Sequence, residues 1–386
     1  MTKIKSIKAR EILDSRGNPT VEVELFTNNG SFLASVPSGA SKGKYEAPTV
    51  DVKTAVNNVN KIIGPKLRGM DPYKQKEIDE LMKKLNVGAN AVVGVSVAVC
   101  RAGAINQNLP LYKYIAKIYG DPVSVNFIRL PIPCFNIING GVHASNDLDF
   151  QEFMIVVQSK TFSEAVWIAS KIYQNLRQKL GINVGDEGGF APNLSTTEQA
   201  LDLIIKIIKT FGYQDKIKIA LDVAASQFYK NKKYKGKTSL EMIEYYLKLI
   251  KKYPTISSIE DPFYEDDFSG FSNLMEKCGN KINIIGDDLL VTNVERIKLA
   301  KEKNLCNGLL LKINQIGTVS EAIEAAKLAK TYNWKIMVSH RSGETNDDFI
   351  ADLAVGIGAD YIKSGAPARG ERVAKYNRLL KIEQDL

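Results

Sequence analysis

The sequence is poor in the residues that build cross-links and thiolate sites. It contains two histidines and four cysteines among 386 residues. The cysteines stand far apart and form no Cys-x-x-Cys pair, which excludes the usual redox and zinc motifs of that spacing. We expect them to be buried, reduced thiols, as in a cytoplasmic protein: Cys100, Cys134, Cys278 and Cys306.

Long apolar runs are also missing. The first ten residues, MTKIKSIKAR, contain no apolar signal-peptide core. The apolar, uncharged stretch Leu85–Cys100 is shorter than the roughly 20 residues that cross a bilayer. We therefore expect no transmembrane segment and a cytoplasmic location.

Positive charge is in excess but is not concentrated in any one segment of the chain. The formal net charge is +9, while the 44% hydrophobic and 25% charged residues are typical of a folded globular protein. The lysines are scattered, so we expect no specific nucleic-acid partner, although a nucleic-acid surface is the alternative interpretation. A basic field would also steer an anionic small substrate.

Two different patterns divide the chain. The segment TVEVELFT alternates as a half-buried strand does, and helical patterns follow it, so residues 1–121 are predicted to form an α+β domain. Asp121-Pro122 is a candidate linker. Residues 122–386 are predicted to form a second, catalytic domain.

The second part repeats a short apolar run, a polar cluster and a helical segment. The step between polar clusters is about 25 residues, which is typical of a (β/α)8 barrel. Catalytic groups of such barrels lie at the carboxyl ends of the strands. The predicted strand ends are Asp222, Glu260-Asp261, Asp287-Asp288, Lys312, His340 and Lys363.

Along the chain, the first of these strand ends carry carboxylates and the later ones carry cationic or hydrogen-bond-donating side chains. Asp222, Glu260 and Asp287 come first, and Lys312, His340-Arg341-Ser342 and Lys363 follow. Three carboxylates at one mouth would repel each other unless a cation lay between them, and oxygen ligands favour Mg²⁺ over zinc. A single Asp or Lys at a strand end is usually a turn or solvated residue. Six in register favour a site for a metal and an anionic substrate.

Two loops carry further candidates. NVGDEGGFAPN places Asp186 and Glu187 among glycines, and NIINGGVHASNDLDFQEFM contains His143, Gln151 and Glu152. Each loop is also compatible with a plain structural turn. Both histidines of the chain nevertheless lie in polar, glycine-bearing segments, where a functional role is more frequent.

These segments together resemble the enolase (phosphopyruvate hydratase) family. The similarity extends from ILDSRGNPTVEVEL to SGAPARGERVAKYNRLLKIE and includes PSGAS, INGGVHA, VGDEGGFAPN, SIEDPF, GDDLLVTN and VSHRSGET. The resemblance implies an N-terminal α+β lid domain on an atypical α/β barrel that begins β-β-α-α. It also implies the conversion of 2-phosphoglycerate to phosphoenolpyruvate by loss of water.

The resemblance assigns metal and catalytic roles. A lysine base with one or two Mg²⁺ ions is a known pattern of this superfamily. Two Mg²⁺ ions per active site are implied, the first held by Asp222, Glu260 and Asp287 and the second by Ser41 with the substrate phosphate. The implied catalytic residues are Lys312 as the base at C2, Glu187 as the acid at the 3-hydroxyl, and Glu152 and His143 beside them.

The resemblance also assigns substrate contacts. Arg341 and Ser342 would hold the phosphate, and Lys363 would lie at the carboxylate side. The remaining substrate-binding positions are Ser41, Gln151, His340, Glu260 and Asp287, with His143 in the same pocket. For catalysis, the pKa of Lys312 should be lowered by nearby cations, and burial with a neighbouring Glu152 should keep Glu187 protonated.

The chain departs from the family pattern in several places. It is shorter than a typical member, carries Lys42 and Lys44 in the loop SGASKGKYEA, and has Gln227 after DVAAS where a glutamate is expected. A homodimer or larger homo-oligomer is implied. Two alternatives remain open: an additional binding role with display at the cell surface, and a related barrel enzyme acting on a different acid.

Overall fold

The computed structural model of the protein describes residues 2–39, 43–120 and 128–386. The predicted domain boundary between residues 121 and 122 falls outside these residues and stays a prediction. The strands are β1 Ser6–Leu13, β2 Pro19–Thr27, β3 Gly30–Ser35, β4 Ile132–Asn139, β5 Glu152–Val157, β6 Ile217–Asp222, β7 Tyr229–Lys230, β8 Lys233–Tyr234, β9 Ile256–Glu260, β10 Asn283–Gly286, β11 Gly308–Leu311, β12 Lys335–Ser339 and β13 Tyr361–Lys363.

The α-helices alternate with these strands over most of the chain. They are α1 Val52–Asn58, α2 Gly64–Leu67, α3 Gln75–Lys83, α4 Ala89–Asn106, α5 Leu111–Tyr119, α6 Phe162–Leu180, α7 Thr197–Thr210, α8 Ser239–Lys252, α9 Phe268–Cys278, α10 Val294–Glu302, α11 Ile313–Ile316, α12 Val319–Thr331, α13 Phe349–Gly356 and α14 Gly370–Gln384. A π-helical turn, Val59–Ile63, joins α1 to α2, and 3-10 turns cover Gly141–His143 and Ala225–Phe228.

The N-terminal part packs a sheet against helices. Strands β1, β2 and β3 form an antiparallel sheet in that order. The alternation of β2 buries Val21, Val23 and Leu25 completely. Helix α4 can approach this face because a Cβ at Gly94 would lie 2.7 Å from Cγ2 of Val23. The alternating pattern and the small residues of α4 therefore built the predicted α+β unit.

Helix α4 is long and apolar enough to cross a membrane by length and composition alone. In this structure 72% of its apolar window is buried inside the protein. It is therefore packed as a core helix, against the sheet β1–β3 and the helix α3.

In the described part of the chain, eight strands close into a barrel in the order β10-β11-β12-β13-β4-β5-β6-β9. The pairs β4–β5 and β5–β6 are antiparallel and the others are parallel. Two strands, β4 and β5, are followed by two helices, α6 and α7, before β6. The predicted α/β barrel with an atypical β-β-α-α start is confirmed.

The predicted strand ends all lie at one edge of the barrel. Asp222 ends β6 in register with Glu260 at the end of β9. Lys363 ends β13 in register with Ser339, the residue before His340. The 25-residue rhythm therefore placed these side chains at one mouth, because every parallel strand of a barrel ends on the same side.

The N-terminal part also caps a barrel helix. The carboxylate of Asp79, which is 2% exposed, accepts hydrogen bonds from the Ser320 backbone N–H at 3.1 Å and the Ser320 hydroxyl at 2.6 Å. Ser96 Oγ accepts from the Val319 backbone N–H at 2.9 Å. These contacts satisfy the otherwise free donors of the first turn of α12 from another part of the chain.

We predict that Asp79→Ala lowers the free energy of unfolding by about 1–3 kcal/mol, because it removes the carboxylate that accepts both the backbone N–H and the hydroxyl of Ser320. The midpoint of urea unfolding measures the change. Asp79→Asn retains an oxygen acceptor and should lose less. An unchanged midpoint for Asp79→Ala would contradict this role of the carboxylate.

Candidate active site

A polar cavity with an empty volume of about 510 Å³ opens at the mouth of the barrel. Its lining includes every residue predicted for the site except Ser41 and Glu260. Ser41 lies outside the described residues, and Glu260 contacts the lining residue Lys363. The lining residues are Gly39, His143, Gln151, Glu152, Glu187, Asp222, Ala224, Gln227, Asp261, Asp287, Asp288, Lys312, Ser339, His340, Arg341, Ser342 and Lys363.

Lys363 joins three buried carboxylates beside the cavity. Its Nζ lies 2.8 Å from Asp222, 2.9 Å from Glu152 and 2.9 Å from Glu260. Burial opposes the charged ammonium, but the carboxylates outweigh it and raise the pKa of Lys363 well above its usual value. Burial, with Asp222 adding repulsion, raises the pKa of Glu260 well above its ordinary range. One lysine thus holds together acids that the sequence placed on separate strands.

Lys312 forms a second buried pair. Its Nζ lies 2.6 Å from Asp287 Oδ2, and Gln315 donates to Asp287 Oδ1 at 2.8 Å. Burial lowers the pKa of Lys312, but the combined attraction of Asp287 and Glu260 outweighs it and the net pKa is raised. The sequence-based expectation of a lowered pKa therefore does not hold in this structure, because Asp287 is the direct partner of the ammonium.

Glu187 lies between an amide and both histidines of the chain. Asn136 Nδ2 donates to its Oε2 at 3.1 Å, and His143 Nδ1 and His340 Nε2 each lie 3.5 Å from its Oε1. Burial opposes its charge, but His340 and His143 hold the pKa of Glu187 well below the usual range. Burial and then Glu187 raise the pKa of Glu152 instead. In this structure the pKa of Glu152 is therefore the raised one of the two, whereas the sequence-based expectation was that Glu187 stays protonated.

Arg341 is paired across the two parts of the chain. Its guanidinium binds Glu46 with contacts of 3.0 and 3.2 Å, and donates to Asn314 Oδ1 at 3.1 Å. Glu46 belongs to the SGASKGKYEA loop, where sequence reasoning noticed the lysines and missed this acid. The signal was an acidic residue in a loop already expected at the site.

Sequence reasoning also missed the role of Asp261, the neighbour of Glu260. Asp261 has a φ of +39° and accepts the backbone N–H groups of Asp287 at 2.9 Å and Asp288 at 2.7 Å. A left-handed φ is costly for an aspartate, so other contacts must hold it. Carboxylate oxygens of Asp261, Asp287 and Asp288 lie within 4.8 Å of one another. Burial and then Asp287 raise the pKa of Asp288 to about 7.

Comparison with known proteins identifies the family of the chain. The family model described as the enolase N-terminal domain matches residues 4–115, and the model of the enolase C-terminal TIM barrel domain matches residues 127–386. The chain belongs to the enolase family. Enolase is phosphopyruvate hydratase, EC 4.2.1.11, so the predicted hydro-lyase class is confirmed.

Similar proteins include enolases of three other organisms. An enolase of Mastigamoeba balamuthi is 50% identical over 428 positions, covering 100% of this chain and 96% of the relative. Enolase B of Dictyostelium discoideum is 51% identical over 425 positions, covering 99% and 95%. An enolase of Eimeria tenella is 46% identical over 432 positions, covering 100% and 96%. These alignments exceed the 386 residues of the chain, so the relatives contain segments that it lacks.

Departures from the enolase family pattern lie around the cavity. Lys42 is outside the described residues. Lys44 Nζ lies 2.8 Å from Asp266, whose carboxylate also accepts the Tyr45 hydroxyl at 2.9 Å. Gln227 lines the cavity. Gln227 is therefore part of the cavity wall, whereas Lys44 forms an exposed ion pair with Asp266.

The donor set fits a hard divalent cation. Two groups of candidate ligands occur among the described residues, one of aspartates and one of His143, Glu152 and Glu187. The expected trio of the family is split here, because Asp222 and Glu260 share Lys363 while Asp287 binds Lys312. Buried carboxylates outnumber these two ammonium groups. An added cation with oxygen ligands would reduce the remaining repulsion.

Proposed function

We propose that the chain catalyses the reversible dehydration of 2-phosphoglycerate to phosphoenolpyruvate in the cytoplasm, as a step of glycolysis and gluconeogenesis. The observation that carries this proposal is one polar cavity lined by Lys312, Glu187 and Arg341. A base, an acid and an anion-binding arginine are the groups that the reaction needs. Family membership makes the phosphorylated substrate the best candidate among acids with a proton at the α carbon.

Lys312 is the proposed base. It removes the proton at C2, and a double bond to C3 forms as the 3-hydroxyl leaves with a proton from the acid. In this structure Asp287 raises the pKa of Lys312. A cation held by Asp287 would weaken that pair and repel the ammonium, and both effects would bring the pKa down toward that of a useful base.

Glu187 is the proposed acid. Its pKa is low in this structure. The negative charges of a bound substrate would raise it, because a nearby like charge disfavours the ionised carboxyl. Glu152, with its raised pKa, offers a proton beside Glu187. His143 faces the same Glu187 oxygen at 3.5 Å and completes the catalytic group.

The remaining residues are proposed to bind substrate anions. Arg341 suits the phosphate because a planar guanidinium binds two oxygens at once, and Ser342 and the loop residue Ser41 add hydroxyl contacts. Lys363, which contacts Glu260, lies at the carboxylate side, where Glu260 and Asp287 are also proposed to contact the substrate. Gln151, which donates to Asp222 Oδ2 at 3.2 Å, and His340 line the pocket.

Two Mg²⁺ ions per site are the proposed cofactors. Asp222, Glu260 and Asp287 would hold one ion, and Ser41 with the substrate phosphate would hold the other. When bound, the ions supply positive charge that offsets the negative charge left when the C2 proton is removed. Lys312 is then available to take the C2 proton, and Lys363 to bind the carboxylate side of the substrate.

We predict that the purified chain dehydrates 2-phosphoglycerate only with a divalent cation present. A chelator should reduce the rate of phosphoenolpyruvate formation to background, and excess Mg²⁺ should restore it. Asp287→Asn should lose most activity, whereas Asp360→Asn, at a partly buried carboxylate that pairs with Lys335 and does not line the cavity, should not. Full activity in chelator would contradict the metal requirement, and inactivity with Mg²⁺ would contradict the proposed function.

We predict that Lys312→Ala loses about 10²- to 10⁴-fold in rate and also loses exchange of the C2 proton with solvent. Glu187→Gln should lose dehydration but retain part of the C2 exchange, because the base is intact. Isotope exchange at C2 and phosphoenolpyruvate formation measure the two steps, with Lys335→Ala as a surface control. Surviving exchange in Lys312→Ala would exclude it as the base.

We also propose a homodimer formed through the first sheet and the start of the last helix. Leu13 and Leu33 are 69% and 44% exposed beside a groove that Glu371 also lines. Arg10 already pairs with Glu22 within the chain. We therefore propose that exposed leucines, rather than ion pairs between the two subunits, form the main contact of the interface.

We predict sedimentation as a dimer at micromolar concentration. Leu13→Glu should dissociate it, since a charge at the centre of an apolar contact is costly. Leu240→Glu, at a residue 65% exposed on helix α8, serves as the matched control and should stay dimeric. A wild-type chain that sediments only as a monomer would refute the assignment.

A further inference from the structure

Arg372, in the first turn of α14, lies behind the candidate active site and is completely buried. Its Nη1 contacts His340 Nδ1 at 2.7 Å and donates to the Arg341 carbonyl at 2.6 Å. Its Nη2 donates to the carbonyls of Ser342 at 2.6 Å and Asp186 at 3.0 Å. One guanidinium thus holds the segment after β12 and the residue before Glu187.

The contact with His340 fixes where the imidazole carries its proton. A guanidinium has only donors, so Nδ1 of His340 must accept the hydrogen bond from Arg372. A neutral imidazole has one protonated nitrogen, which is then Nε2. His340 therefore exists here as the Nε2–H tautomer.

The protonated nitrogen points at the proposed acid. His340 Nε2 lies 3.5 Å from Glu187 Oε1, and it has no hydrogen-bond partner among the described residues. Its side chain is 1% exposed. Since a buried N–H without an acceptor is costly, this donor is oriented for Glu187 or for a group bound beside it.

The surroundings also keep His340 neutral. Burial, opposed by Glu187 and assisted by the positive charge of Arg372 and then of Lys363, lowers the pKa of His340 to about 3. The charged groups facing the ring are Glu187, Arg372 and Lys363, with Arg341 next in the chain. A second proton on Nδ1 would set two donors against each other at 2.7 Å.

We propose that Arg372 is a positioning residue that locks His340 as a neutral Nε2–H donor directed at Glu187. The lock makes His340 unable to accept a proton from the cavity, so the ring stabilises the ionised acid through a fixed hydrogen-bond donor. The catalytic consequence rests on the proposed function, because it concerns the proton that Glu187 gives to the leaving hydroxyl. The tautomer itself does not depend on that function.

The first experiment is nuclear magnetic resonance of the full chain with ¹⁵N-labelled histidine, without substrate. The chain has two histidines, so His143→Gln leaves the signals of His340 alone. We expect proton coupling at Nε2 and an unprotonated Nδ1 at pH 8, as the contact with Arg372 requires. A protonated Nδ1 would overturn the proposal without any Arg372 variant.

The second experiment compares Arg372→Lys and Arg372→Met with Arg369→Lys. A lysine keeps the charge but its nitrogen falls about one bond short of Nη1, and methionine removes every donor. Arg369 is the matched control because it donates to the Gly185 and Asp186 carbonyls and makes no contact with His340. The Arg372 variants should show both His340 tautomers, and the control should keep one.

Kinetics separates positioning from a structural role. We expect kcat of the Arg372 variants to fall about 10- to 100-fold with a smaller change in KM, and Arg372→Met to gain an acid limb in its pH profile. Variants that keep the wild-type tautomer and pH profile would overturn the proposal, even if they are less stable. If the wild type has the locked tautomer but does not dehydrate 2-phosphoglycerate, the proposed function fails and the lock stands.

Discussion

The mouth of the barrel gathers buried negative charge that two lysines must balance. Asp222, Glu152 and Glu260 contact Lys363, and each of these side chains is at most 3% exposed. Removing a charge from water costs several kcal/mol unless an opposite charge replaces the solvent. The closed barrel brings the opposite charges close enough to replace the lost solvent, because its parallel strands end at one edge. The same concentration of charge suits chemistry that creates a carbanion beside a carboxylate.

The N-terminal part is connected to this charge balance at more than one point. Glu46 neutralises Arg341, so a residue outside the barrel sets the position of a proposed phosphate ligand. Ser15 lies within 3.5 Å of Arg372 Nη2, behind the same strand end. Hydrogen bonds and ion pairs of this kind depend on direction. They therefore restrict the relative position of the two parts of the chain more than apolar packing alone does. The site is therefore a property of both parts together.

Protonation at the site follows from neighbours rather than from residue type. Two carboxyls lie near each other, yet Glu152 has the raised pKa and Glu187 the lowered one. The difference arises because Glu187 faces His143 and His340, while Glu152 is buried with other acids around Lys363. An arginine that only donates then decides which nitrogen of His340 faces Glu187. The proposed acid Glu187 and its neighbours Glu152 and His340 are thus distinguished by hydrogen-bond direction and burial.

The sequence by itself determined the barrel and the edge at which the candidate site lies. The regular spacing that ends in Asp222, Lys312 and Lys363 was sufficient, because strand-helix periodicity and the parallel direction of the strands are local properties. Only the tertiary structure decided which ammonium pairs with which carboxylate, and that Glu46 and Arg372 belong to the site. Those partners lie far apart in sequence, and their pairing depends on distances across the barrel and on side-chain hydrogen-bond geometry that no local pattern encodes.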